Sequence, residues 1–113
     1  MNTHIMSLNP DAFTLIKNGT KTIEMRLYDE KRREILKEDS IVFISTDNSN
    51  NQLKVKVKEI HKYNNFDDLY REFDKIKLGY NKNDCASPND MEQYYSKENI
   101  KKYGVVGIEI EII

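Results

Sequence analysis

The stretch Asn18-Gly19-Thr20-Lys21-Thr22-Ile23-Glu24-Met25-Arg26 sets a lysine, a glutamate and an arginine into a segment that otherwise reads as a β-strand. Side chains alternate faces along a strand, so Ile23, Met25 and Leu27 point one way and Thr22, Glu24, Arg26 and Tyr28 the other. Lys21 falls in phase with the apolar set. An ammonium on an apolar face is costly unless it reaches water or a carboxylate, which places Lys21 where the strand begins, at the rim of a cavity. Three charges on one apolar strand need a shared polar outlet, so Lys21, Glu24 and Arg26 are expected to line one pocket. The alternative is a salt-bridged solvent face with Lys21 snorkelling outward, and the residues alone leave both readings open.

Before this segment, His4-Ile5-Met6-Ser7-Leu8 reads as an opening strand. Asn9-Pro10-Asp11 then supplies an N-cap, a proline at the first helical position and an early acid. Phe13, Leu15 and Ile16 form the buried stripe of that helix, and Asn18-Gly19 stops it. After it, Asp29 to Asp39 is polar and charged, with Ile35 and Leu36 as anchors, and reads as a loop or short helix. Ile41 to Ser45 is a strand, Asp47-Asn48-Ser49-Asn50-Asn51 a turn, and Leu53, Val55 and Val57 the inward face of a return strand. The alternation slips at Lys58 to Ile60, which predicts a bulge or strong bend. Spacing predicts a helix over Phe66 to Ile76, a second short helix from Ser87-Pro88, and another from Ser96 towards Tyr103. The final run, Val105 to Ile112, is apolar enough for an interior strand paired on both sides. Strands with helices inserted near the start and before the last strand indicate an α+β domain, and the slip at Lys58 favours a curled sheet or small barrel.

At 113 residues one domain, 1–113, is expected. No apolar run approaches the ~20 residues that cross a bilayer, and Met1 to His4 lacks a basic region leading an apolar block, so a cytoplasmic protein with no membrane association is expected. Cys85 is the only cysteine and His4 and His61 stand apart, which argues against a disulfide and against structural zinc; no metal and no cofactor are expected. Net charge is -1, a poor match for nonspecific nucleic-acid binding, yet residues 17 to 37 hold seven Lys or Arg against four acids. That basic patch would steer a phosphate-bearing ligand, although charge runs are commonly solvated faces.

The G-x-K-T-I-E-x-R pattern of Gly19 to Arg26, following a short helix and preceding a charged loop, resembles the ASCH family, small domains with a PUA-like β-barrel. Asn9-Pro10, the Arg26-Leu27-Tyr28-Asp29-Glu30-Lys31-Arg32 continuation, Ser96-Lys97-Glu98 after paired tyrosines, and the closing Tyr103-Gly104-Val105-Val106-Gly107-Ile108 look like its compact bacterial members, so the likeness spans the chain. The resemblance implies a cleft beside the charged strand and an RNA, nucleotide or nucleoside ligand. One ASCH branch removes the acetyl group of N4-acetylcytidine with a lysine, a threonine and a glutamate. Its lysine matches Lys21, but its threonine nucleophile lies where this chain has Glu24, and a carboxylate does not replace a hydroxyl nucleophile.

Two main functions follow. A binding module would use Lys21 and Arg26 on phosphate or a base edge, Glu24 on an exocyclic amine or ribose hydroxyl, and Tyr94 or Tyr95 for stacking, with Thr22, Tyr28, Lys31 and Arg32 as further contacts. Adjacent tyrosines usually split between core and surface, which weighs against both stacking. An amidohydrolase acting on a modified nucleoside would need Lys21 deprotonated or the Glu24 pKa raised, unless the two pair and cancel. A protein-docking role for the Lys54, Lys56 and Lys58 face is a third reading that nothing singles out. A monomer is expected. Lys21 and Arg26 are expected to contribute little to the core, so their removal should impair binding more than folding.

Overall fold

The computed structural model, which describes residues Met1–Ile113, arranges five strands in one mixed sheet ordered β1-β3-β4-β5-β2. Strand β1 (Thr3–Leu8) pairs in parallel with β3 (Ser40–Ser45), and the other pairings are antiparallel. The long β4 (Asn48–Tyr63) gives its first half to β3 and its second half to β5 (Val105–Ile112). Its register shifts between Val57 and Glu59, where the alternation slips in the sequence, and this bulge bends the strand so that the sheet curls into a half-barrel. As its apolar character predicts, β5 is interior, between β4 and β2 (Ile23–Leu27). The result is an α+β, PUA-like curled sheet with short helices inserted.

Helix α1 (Pro10–Lys17) starts where the Asn9 side chain accepts from the Ala12 N–H and seats Phe13 and Ile16 against the sheet. Their cluster includes Met6, Phe43, Val57 and Ile108. A second cluster covers the Ile23, Met25 and Leu27 face of β2 with Phe66, Leu69, Leu78 and Met91. Helix α2 (Glu30–Arg33) is one turn capped by Asp29; Ile35 behind it is buried, whereas Leu36, expected as a second anchor, is exposed. No helix is long and apolar enough to cross a membrane.

Two elements depart from expectation. The hairpin turns at Thr46 and Asp47, and Asn48 to Asn51 extend β4 with a register shift opposite Ile44 and Ser45. Turn-forming residues thus occupy strand ends and an irregular ladder, where their side chains bond locally, as Asn48 Oδ1 does with the Asn50 N–H. The helix expected over Phe66 to Ile76 is divided into α3 (Phe66–Glu72) and α4 (Lys75–Leu78). Asp74 accepts from the Ile76 N–H, so a capping side chain inside the helical spacing restarts the helix and turns it. That break delivers the C-terminus of α4, ending at Gly79, to the start of β2.

Candidate functional site

Lys21, Glu24 and Arg26 meet at the floor of a cleft of about 620 Å³. Strand alternation turns Glu24 and Arg26 away from the second cluster. Lys21 precedes the strand proper, so strand phase does not govern it, and its side chain folds inward to within 6% exposure instead of standing at the rim. Its Nζ donates to the Leu78 carbonyl (2.8 Å) and the Ile23 carbonyl (3.0 Å) and lies 3.3 Å from Glu24 Oε1. The lysine thus ties the end of α4 to β2, and Gly79 makes room for it. A Cβ at Gly79, whose φ is +108°, would lie 3.1 Å from Lys21 Cδ and 3.4 Å from Nζ.

Arg26 closes the other side. Its Nε donates to Glu24 Oε2 at 2.8 Å, while Nη2 donates to the Ser7 carbonyl of β1 at 2.7 Å and lies within ion-pair distance of the same carboxylate oxygen, also at 2.7 Å. Because β1 and β2 are the two edges of the sheet, this guanidinium bridges the seam of the half-barrel. Glu24 is 6% exposed. Burial opposes its ionisation, but the charges and hydrogen bonds of Lys21 and Arg26 outweigh that and hold its pKa below the ordinary value. Lys21 and Glu24 therefore form a charged ion pair, the pairing that the sequence left open. The expectation that Lys21 and Arg26 contribute little to folding fails, since each satisfies buried carbonyls as well as Glu24.

The cleft wall comes from the 3-10 helix Pro88–Gln93 and the tyrosines after it. Tyr94 is 58% exposed, while Tyr95 lies parallel to Phe66 with ring centroids 6.2 Å apart, packed on the second cluster, where burial raises its pKa. The split between core and surface that adjacent tyrosines favour is what forms. Tyr80, which the sequence did not single out, donates to Asp90 Oδ2 at 2.7 Å and bonds the Tyr70 hydroxyl, also at 2.7 Å, fixing the wall. Tyr70, half-buried beside the second cluster, serves as that support.

The remaining sequence candidates lie elsewhere. Thr22 lines a separate hollow, its N–H donating to the Lys77 carbonyl and its own carbonyl accepting from Ile110. Tyr28 sits in a second groove beneath the Arg33 guanidinium, 4.4 Å from the ring centroid. Lys31 is exposed on α2 and outside both hollows. Arg32 pairs with Asp29 at 2.9 Å, its Nε buried without a partner, and does not line the cleft. Helix α2 carries the basic run away from the cleft because its polar turn is held by its own cap. The residues that sequence reasoning missed, the carbonyls of Ser7 and Leu78 together with Gly79, Tyr80 and Asp90, come from segments distant in the chain; only a glycine such as Gly79, which ends a helix in the left-handed conformation, has a local signal. No group of three or more His, Cys, Asp or Glu is placed to hold a metal ion.

The ASCH domain model matches residues 6–113. The chain is similar to the hypothetical protein PH0355, at 38% identity over 100% of both chains with a TM-score of 0.81. It is also similar to protein PF0455 from Pyrococcus furiosus, at 37% identity over 98% of this chain and 97% of that one, TM-score 0.68. A mutant of the ASCH protein from Zymomonas mobilis shares the fold, with a TM-score of 0.71 over 96% of this chain and 67% of that one, at 13% identity. No curated protein matches the chain. With a family model spanning nearly the whole sequence and a curled half-barrel carrying the motif strand at its seam, this chain belongs to the ASCH domain family.

Proposed function

We propose that the cleft binds a nucleoside unit, free or within RNA, by its base edge and one ring face. The observation that carries this reading is the ionised Glu24 carboxylate, fixed between two cations on the floor of a cleft that also presents the exposed Tyr94. A carboxylate held in place accepts from an exocyclic amine or a ribose hydroxyl without reorganising. The Arg26 Nη1, free of the bonds to Glu24 and Ser7, remains to donate to a base carbonyl. The exposed tyrosine supplies a face on which a base stacks. Asp11, Glu24 and Asp90 outnumber Lys21 and Arg26 among the lining residues, so the cleft suits a neutral base better than a phosphate.

The hydrolytic reading is weaker. A carboxylate held below its ordinary pKa is a poor proton acceptor, and the ammonium of Lys21 is engaged by two carbonyls and Glu24. Tyr94→Ala tests the binding reading cleanly, because the ring is exposed and its loss should leave the melting temperature within a degree or two. Titration with cytidine-type nucleosides and short single-stranded RNA should show affinity falling about 5- to 100-fold, the range for a lost base stack. Unchanged affinity with Tyr94→Ala, or no binding by the wild type, would refute the reading. Release of cytidine from N4-acetylcytidine by the purified protein would replace it with the hydrolytic one.

A further inference from the structure

A second hollow lies on the far side of the 3-10 helix. This helix shows Asp90, Met91 and Gln93 to the cleft, and Pro88, Asn89 and Glu92 to a groove of about 850 Å³. The charge of the groove is opposite to that of the cleft: Arg33, Lys62, Lys97, Lys101 and Lys102 face three carboxylates, those of Asp67, Asp68 and Glu92. Two of these acids are already engaged, Asp68 by Arg71 and Glu92 by Lys97. Arg33, Lys62, Lys101 and Lys102 have no carboxylate within ion-pair distance. A chain of net charge -1 thus gathers four unpaired cations in one place. Aromatic rings underlie them, with the Arg33 guanidinium and the Lys62 ammonium 4.4 and 5.4 Å from the centre of the Tyr28 ring and Lys102 at 5.0 Å from that of Tyr103.

We propose that this groove holds the phosphodiester backbone of a single RNA strand whose neighbouring nucleoside occupies the cleft. The proposal rests on the binding reading above and extends it from a nucleoside to a strand. Strand β2 and its continuation run from one hollow to the other, Arg26 lining the cleft and Tyr28 the groove, so one ligand spanning both follows a continuous path beside the 3-10 helix. Unpaired cations release counterions when they meet phosphates, whereas the cleft, with its excess of carboxylates, favours an uncharged base. The division of labour is phosphate in the groove and base in the cleft.

The test is the triple variant Lys62→Gln, Lys101→Gln, Lys102→Gln, which removes three exposed charges that make no hydrogen bond to the rest of the chain. Binding of a single-stranded RNA 10-mer and of free cytidine would be measured at several salt concentrations beside thermal melts. RNA affinity should fall at least about tenfold, and the slope of log K against log salt should shrink by about 2, since each phosphate contact on a single strand contributes about 0.7. Cytidine affinity should not change. If the triple variant melts lower, Lys62→Gln and Lys101→Gln taken singly carry the test, each reducing the slope by about 0.7. An unchanged RNA affinity and salt slope would overturn the proposal, as would a groove that selects acidic peptides while RNA binding persists. Loss of RNA binding in the triple variant without any wild-type affinity for cytidine would uphold the groove and refute the cleft.

Discussion

Glu24 is the side chain on which the bonding at the floor of the cleft converges. Its carboxylate is buried, accepts from Arg26 Nε, faces Arg26 Nη2 at ion-pair distance and sits against Lys21, so it neutralises one of two cations that the apolar surroundings would otherwise expel. Glu24→Gln keeps the shape and removes that charge. It should cost about 3 kcal/mol, a fall in melting temperature of roughly 10 °C, because both cations are left without a counter-charge. The pH dependence has a definite sign. The folded pKa lies below the ordinary 4.5, so the stabilisation from Glu24 is complete above about pH 4.5 and is lost as pH falls through the lower folded value. Melts of wild type and Glu24→Gln should therefore converge on acidification, and parallel curves down to pH 3 would contradict the assignment. Gly79 acts on the same triad from outside. Gly79→Ala places a methyl group in a left-handed conformation and against Lys21, and should destabilise by about 2 kcal/mol. A melting temperature within a degree of wild type would show that Lys21 moves aside freely.

Among the elements, β1 depends on a side chain that the strand itself does not carry. Asp39, just before β3, is buried and accepts from the Asn2 and Leu36 N–H groups and bonds His4 Nε2 at 2.8 Å. Burial opposes its ionisation, yet these hydrogen bonds hold its pKa down at about 2, below the ordinary 3.8. Its contribution is full above about pH 4 and disappears as pH falls towards 2. Asp39→Asn should cost about 2 kcal/mol at neutral pH and remove that acid-dependent slope, read by urea unfolding at pH 7 and pH 3; a slope that survives the substitution would assign it to other carboxylates. Elements like β5 and α1 were legible because apolar spacing and caps are local: Val105, Val106, Ile108 and Ile110 demand the interior, and Asn9-Pro10 supplies a cap and a first helical residue side by side. The turn at Thr46-Asp47 and the break at Asp74 were not, since in each case a short polar side chain that favours turns and caps equally well was free to act at a neighbouring position.

Across the whole molecule the charged strand is legible as a cluster of charges and illegible as a seam. Residue types and alternation bring Lys21, Glu24 and Arg26 together, but the carbonyls of Ser7 and Leu78 that complete their bonding are backbone atoms of distant segments, and no side-chain pattern announces them. The curl of the sheet supplies those partners. Strands β1 and β2 are its edges, and exposed edges are liabilities unless something covers them. Arg26 covers part of this one by donating from β2 to the Ser7 carbonyl while holding Glu24. Arg26→Lys separates the two duties, because an ammonium on a shorter reach serves Glu24 or Ser7 and lacks the planar fork that serves both. The counter-charge for Glu24 persists, so global stability should fall by only about 1 kcal/mol. Local opening should increase all the same: native-state hydrogen exchange should speed up several-fold in β1 and β2 relative to β4, whose ladders with β3 and β5 do not involve the seam. Exchange that rises uniformly over all five strands would mean that Arg26 stabilises the fold as a whole and that the edges are held by the helices instead. Exchange unchanged at β1 would mean that the bond to Ser7 contributes nothing to closure, and the cleft would then owe its shape to the Lys21 anchor on α4 alone.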